Sequence, residues 1–247
     1  MTLTALRSNK AVAHVAPLFV FMGLMLLTSV PGLEWKHPDA PWWRRQPQQW
    51  VYPLQTLACL GMLAFWWRQY SFRPLGVKAW LWGTVAGAVG IAFWILPSWW
   101  HTQTGQVINW LGVVDRSEPG FDPGIFPHGS AAWWTSVVVR FLRMTVAVAF
   151  VEELFWRGFL WRYLASAGGS WERVPMGVKN LRVIGLTSVF MMTAHQPSDY
   201  AVCLLWSLLV SLVAVRTRSL GACVIMHATS NFLLGLYIMM TRQWGLW

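Results

Sequence analysis

Seven apolar runs, each near the length needed to cross a bilayer, constrain this chain more than any other feature of its sequence. About 20 helical residues span roughly 30 Å of hydrocarbon. The runs are Ala11 to Val30, Val51 to Trp67, Ala79 to Leu96, Met144 to Leu164, Val183 to Gln196, Tyr200 to Val215 and Leu220 to Met240. In lipid every backbone N–H and C=O must be satisfied within the protein, so such runs fold as helices. The expected fold class is all-α, a polytopic membrane helix bundle of about seven transmembrane helices. The fifth run covers only ~21 Å at 1.5 Å per residue. It ends at His195, where Gln196-Pro197-Ser198-Asp199 cannot continue a regular helix, so one broken or short helix is expected there. With 56% hydrophobic and 11% charged residues, a water-soluble globule and a disordered chain are both excluded.

The 19 Lys and Arg, which set the net charge of +10, sit in short clusters between the apolar runs and read as topology rather than as a nucleic-acid footprint. An inside amino terminus leaves ten of them inside: Arg7, Lys10, Arg68, Arg73, Lys78, Arg173, Lys179, Arg182, Arg216 and Arg218. Seven then lie outside: Lys36, Arg44, Arg45, Arg116, Arg140, Arg143 and Arg242. The N-terminus is therefore expected to be cytoplasmic. The Pro97 to Ala131 stretch is expected as a long outer loop, with Arg140 and Arg143 anchoring an outer amphipathic segment against lipid phosphate. Paired tryptophans such as Trp42-Trp43 and Trp133-Trp134 suit an aromatic belt. The first run is longer than a signal-peptide core, and Thr28-Ser29-Val30-Pro31 lacks a small-x-small site, so it is expected to stay as an anchor. Cys59, Cys203 and Cys223 lie singly inside apolar runs and are expected to be packing residues. The chain divides into residues 1–130, the N-terminal membrane helices and outer loop, and 131–247, a helical core, within one integral membrane unit.

Ionisable groups inside a span are costly and mark a pathway or a reaction site by default. Here they are Glu152, Glu153, Arg157, His195 and His227, joined by the amide of Asn231. Glu153 and Arg157 are four residues apart and can neutralise one another on one helix face. Glu152 points well away from them and has no local counter-ion, as suits a general acid or base. His227 and Asn231 are also four apart and can present hydrogen-bond donors together. Measured from the inner ends of their helices, Glu152 lies ~15 Å above Arg162, His195 ~20 Å above Arg182, His227 ~13 Å above Arg218 and Asn231 ~20 Å above it. The four share one layer, as they would around a wet cavity within the bundle.

Glu152-Glu153-x-x-x-Arg157 followed by Gly158, a helix ending in His195, and His227-x-x-x-Asn231 resemble the three signature motifs of the CPBP family, the CAAX prenyl proteases and their bacteriocin-processing relatives. The likeness covers roughly residues 145 to 240. It departs from the family at the second motif, where Met191 stands in the Phe place of Phe-x-x-x-His and Phe190 precedes it. The layout is also similar to CAAX-protease-related proteins that accompany exosortase systems in bacteria. The resemblance implies an intramembrane glutamic-type endopeptidase (a hydrolase) in a bacterial inner membrane, acting on a membrane-associated or lipidated protein or peptide, with a link to a protein-sorting system and no nucleic acid. Glu152 and His195 would hold and deprotonate water, His227 and Asn231 would stabilise the oxyanion, and Glu153 and Arg157 would orient them. No cofactor is implied.

Two other readings stay open on the residues alone. Two His and a Glu also suit zinc, although no His-Glu-x-x-His is present, so a metal-dependent protease is an alternative to a metal-free one. A non-catalytic scaffold or immunity-type homologue would keep the same polar cluster for assembly. The small residues Gly158, Ala228, Ser230 and Gly235 are expected to open room for an unwound substrate segment.

Overall fold

The computed structural model describes residues 2–35, 37, 39–108 and 120–247. Lys36 and Arg116 of the charge count, and residues 109–119 of the expected outer loop, lie outside the described residues. Among the described residues the regular structure is helical: α1 (Leu3–Ser8), α2 (Lys10–Met25), α3 (Trp42–Arg45), α4 (Gln48–Phe65), α5 (Val77–Thr104), α6 (Ala131–Leu142), α7 (Ala149–Glu153), α8 (Trp161–Ala165), α9 (Leu181–Thr193), α10 (Tyr200–Thr217) and α11 (Leu220–Thr241). Side chains set several of the starts. Asn9, Ser130, Asn180 and Ser219 accept from the free backbone N–H groups of α2, α6, α9 and α11.

Each expected run contains a helix, but among the described residues five are long and apolar enough to cross a membrane: Lys10–Ser29, Val77–Thr104, Ala131–Ala165, Pro197–Thr217 and Leu220–Thr241. The other two differ for separate reasons. Helix α4 has 18 residues and turns Gln49, Gln55 and Thr56 inward, where Gln55 binds the Phe21 carbonyl and Arg143. Helix α9 has 13 residues, ~20 Å, and stops short as expected. The protein is an integral membrane helix bundle. Exposed Phe19, Leu57, Leu81, Val85 and Leu205 face outward, and small residues such as Ala147, Ala214 and Ala222 fill the interior.

Two expectations are corrected. Pro97 does not end a helix: α5 continues to Thr104 and closes at Gly105 in the left-handed conformation, so the outer loop starts eight residues later. Arg140 and Arg143 do not lie on an outer amphipathic segment. The fourth span starts at Ala131, 13 residues before the apolar run, and forms one 35-residue helical rod to Ala165. Both guanidinium groups are buried in the bundle over aromatic faces, Arg140 4.6 Å and Arg143 4.0 Å from the Tyr52 ring centre.

Helices α5 and α11 touch along Gly83-x-x-x-Gly87, a small-residue spacing that lets backbones approach closely. A Cβ on Gly87 would stand 2.7 Å from the Met226 carbonyl oxygen, whereas one on Gly61 in α4 meets nothing within 4 Å. Gly87→Ala is therefore expected to cost about 1–3 kcal/mol through overpacking, a fall of roughly 2–12 °C in Tm. Gly61→Ala should leave Tm unchanged or slightly raised. Thermal denaturation of the detergent-solubilised pair checks the contrast.

Candidate active site

The rod from Ala131 to Ala165 is not uniformly α-helical. Residues Arg143–Val148 and Leu154–Leu160 are π-helical and flank the five-residue α7. Such widened turns are rare and concentrate where a helix serves a site. Helix α7 ends in Glu152-Glu153, and the two carboxylates diverge.

Glu153 is fully buried, and its Oε1 accepts two hydrogen bonds, from Arg157 Nη1 at 3.1 Å and from His227 Nδ1 at 3.0 Å. Arg157, also fully buried, donates through Nη2 to Ser207 Oγ at 2.8 Å, while its Nη1 lies 3.1 Å from Met191 Sδ. Ser207 Oγ donates in turn to Ser188 Oγ. One ion pair thus ties α7 to α9, α10 and α11. The expected partnership of Glu153 with Arg157 is present, and its direct bond to His227 adds a link between helices that spacing along one helix does not reveal.

Glu152 takes the other direction. It lines a cavity of about 110 Å³ together with His195, His227 and Asn231, walled by Ile91, Trp94, Met191, Trp206 and Leu234. This is room for several water molecules. The four residues singled out from sequence are brought to one hollow, although they come from α7, from the turn after α9 and from α11. Glu152 Oε2 is buried without a hydrogen-bond partner.

The histidines are fixed by their other nitrogens. His195 Nδ1 lies 2.9 Å from the Met191 carbonyl oxygen, which can only accept, so Nδ1 carries the proton and Nε2 keeps a lone pair when the ring is neutral. His227 Nδ1 donates to the Glu153 carboxylate by the same logic. Trp94 meets the His195 ring edge-on at 5.9 Å, and Trp206 meets His227 at 4.7 Å. Trp206 Nε1 donates to Ser230 Oγ, and Ser230 donates to the Gly87 carbonyl, so the wall beside His227 is itself held. Asn231 donates one amide N–H to the Met144 carbonyl at 2.6 Å, inside the first π-helical stretch. Its position is thereby set and one amide N–H is spent.

Two small residues named from sequence serve packing instead of opening the cavity. A Cβ on Gly158 would meet the His14 ring, and one on Gly235 would meet Phe141. Ser230 does line the cavity. Sequence reasoning missed Trp94, Trp206, Ser188 and Ser207, because an aromatic or a serine in an apolar run carries no signal until its partner on another helix is known. Met191 had a signal, as the departure from Phe-x-x-x-His. Its carbonyl holds His195 and its sulfur touches Arg157, so the substitution sits at the junction of both groups. Among the described residues no group of three His, Cys, Asp or Glu side chains is arranged to hold a metal ion.

Comparison with known proteins places this core. Residues 133–233 match the family model described as type II CAAX prenyl endopeptidase Rce1-like. No curated protein and no solved structure matches the chain. The matched stretch runs from the start of α6 through Asn231, and so includes all six site residues read from the sequence. Over residues 133–233 the chain is thus similar to the Rce1-like type II CAAX prenyl endopeptidases, a family of proteases.

Proposed function

We propose that the protein is an intramembrane endopeptidase of glutamic type. The observation that carries this is Glu152, a carboxylate without an ion pair among the described residues, lining one cavity with two imidazoles whose Nδ1 atoms are already committed. A water in the cavity donates one hydrogen bond to Glu152 and the other to His195 Nε2. Its oxygen attacks the scissile carbonyl carbon as Glu152 takes a proton, and the same proton passes to the amide nitrogen as the C–N bond breaks. The free amide N–H of Asn231 and, in the imidazolium form, His227 Nε2–H donate to the oxyanion. With two carboxylates and one guanidinium in the cluster, an imidazolium brings the local charge to zero, so Glu153 offsets the charge that His227 then carries.

In this reading residues 131–247 are the catalytic core, with the N-terminus cytoplasmic in a bacterial inner membrane. The substrate is a membrane-associated or lipidated polypeptide, including the tail of a sorted protein. Comparative proteomics of membrane fractions from cells with the wild-type protein and with Glu152→Gln tests it: a polypeptide that accumulates uncut supports the proposal, and identical peptide termini refute it. With a substrate in hand, Asn231→Ala is expected to lower kcat about 10²–10³-fold, the loss typical of one oxyanion donor. Cleavage by the purified protein in chelator is expected to proceed at the untreated rate, and inhibition that added zinc reverses would favour metal chemistry instead.

A further inference from the structure

A second cavity lies away from the site, between α4, α6 and the segment around Phe121. It holds about 350 Å³, and its walls are mostly apolar: Trp42, Tyr52, Pro53, Phe121, Phe126 and Val139. Arg140 forms part of its lining. This guanidinium is only 5% exposed, and its Nε and Nη1 have no hydrogen-bond partner. Arg143, one turn on, differs: its Nε donates to Gln55 at 2.9 Å and its Nη2 reaches the Met25 sulfur. Arg140 stands near the faces of Tyr52, Phe121 and Trp247, at 4.6, 5.3 and 5.7 Å, which attract a cation, and its side chain also hydrogen-bonds Tyr52, so Nε and Nη1 are the donors left over. Among the described residues no carboxylate forms an ion pair with it.

A buried cation without a counter-ion costs several kcal/mol, a cost that an anion in the cavity removes. Three other polar side chains of the lining are already engaged. Gln49 Nε2 donates to Gln46 and to the Asp122 carbonyl, Ser136 Oγ donates to Gln49 Oε1, and Thr135 Oγ1 donates to the Ala131 carbonyl. What the cavity offers is the guanidinium at one point, with the Tyr52 hydroxyl beside it and the Trp42 indole in the wall, and apolar surface elsewhere. That combination suits an amphiphile with an anionic oxygen group and a hydrocarbon part. Exposed Trp42 at the wall and exposed Trp134 on α6 mark the depth at which indoles meet headgroups.

We infer that this cavity binds the phosphate of an anionic phospholipid on Arg140, with the glycerol and upper acyl carbons against the aromatic wall. The bound lipid joins α4 to α6, and α6 belongs to the same rod as Glu152. Binding is read without any protease assay, so its failure leaves the catalytic proposal standing.

The test uses full-length protein delipidated in detergent and offered phosphatidylglycerol, phosphatidylcholine or inorganic phosphate, with native mass spectrometry and Tm as readouts. Phosphatidylglycerol is expected to form a one-to-one adduct and raise Tm by about 3 °C or more, with phosphatidylcholine at least tenfold weaker. Arg140→Gln should weaken the adduct by at least tenfold. Thr135→Trp, at an exposed residue of the lining, should block it with the cation kept, which serves if Arg140→Gln fails to fold. A shift from inorganic phosphate alone, lost in Arg140→Gln, supports the anion site and assigns it to free phosphate. Equal binding of the two lipids, adducts that survive both variants, or no response to any of the three probes overturns the inference.

Discussion

Glu152→Gln is expected to lower kcat by about 10²–10⁴-fold, the usual contribution of a positioned general acid or base, while leaving Tm unchanged or slightly higher. Both halves follow from the same geometry. The carboxamide fills the same space and can still orient water, but it cannot accept the proton. Little in the fold depends on the charge, because among the described residues Glu152 forms no ion pair and one of its oxygens is buried unsatisfied, its longer-range attraction to Arg143 being the exception. The neighbouring Glu153→Gln is the same chemical change with the opposite stability outcome, because it removes the charge facing Arg157. Turnover of a membrane peptide and thermal denaturation, measured on both variants, separate the roles. Glu152→Gln protein that keeps more than a tenth of wild-type turnover would remove Glu152 from the mechanism.

That contrast also shows what was legible in the sequence. The helical state of the apolar runs, the break at His195 and the i, i+4 pairs could be read because each depends on residues near one another in the chain, where length and helical period decide geometry. The continuation of α5 through Pro97 was not legible, since a proline inside a membrane helix is tolerated when neighbours accommodate the freed backbone group. Nor was the burial of Arg140 and Arg143. Counted by sequence they are basic residues beside an apolar run, and only the aromatic rings of Tyr52, Phe21 and Phe121 from other segments make an interior position acceptable. The bond from His227 to Glu153 spans 74 residues, and the bond from Arg157 to Ser207 spans 50. Local spacing identified which groups were out of place in lipid, and the packing of α9, α10 and α11 determined which of them pair.

Arg157→Met is expected to be the most destabilising single substitution at the site. Arg157 and Glu153 are both 0% exposed, so removing the guanidinium leaves a buried carboxylate with only the His227 Nδ1–H as its donor. Breaking one side of a buried pair costs about 3–5 kcal/mol, a loss of roughly 6–20 °C in Tm for a chain of this size. The double variant Glu153→Gln with Arg157→Met should recover most of that loss, since a neutral pair of similar volume carries no desolvated charge. Ser207 keeps its bond to Ser188, and a methionine at position 157 lies beside Met191, so little else is stranded. Turnover should not return with stability. The carboxamide oxygen that Glu153→Gln introduces can still accept from His227 Nδ1 and so keeps the ring oriented, but it offsets no charge when the imidazolium donates to the oxyanion. A double variant that melts like wild type and cleaves at least tenfold more slowly would assign the ion pair to catalysis as well as to folding. One that recovers both would reduce Glu153 and Arg157 to packing alone.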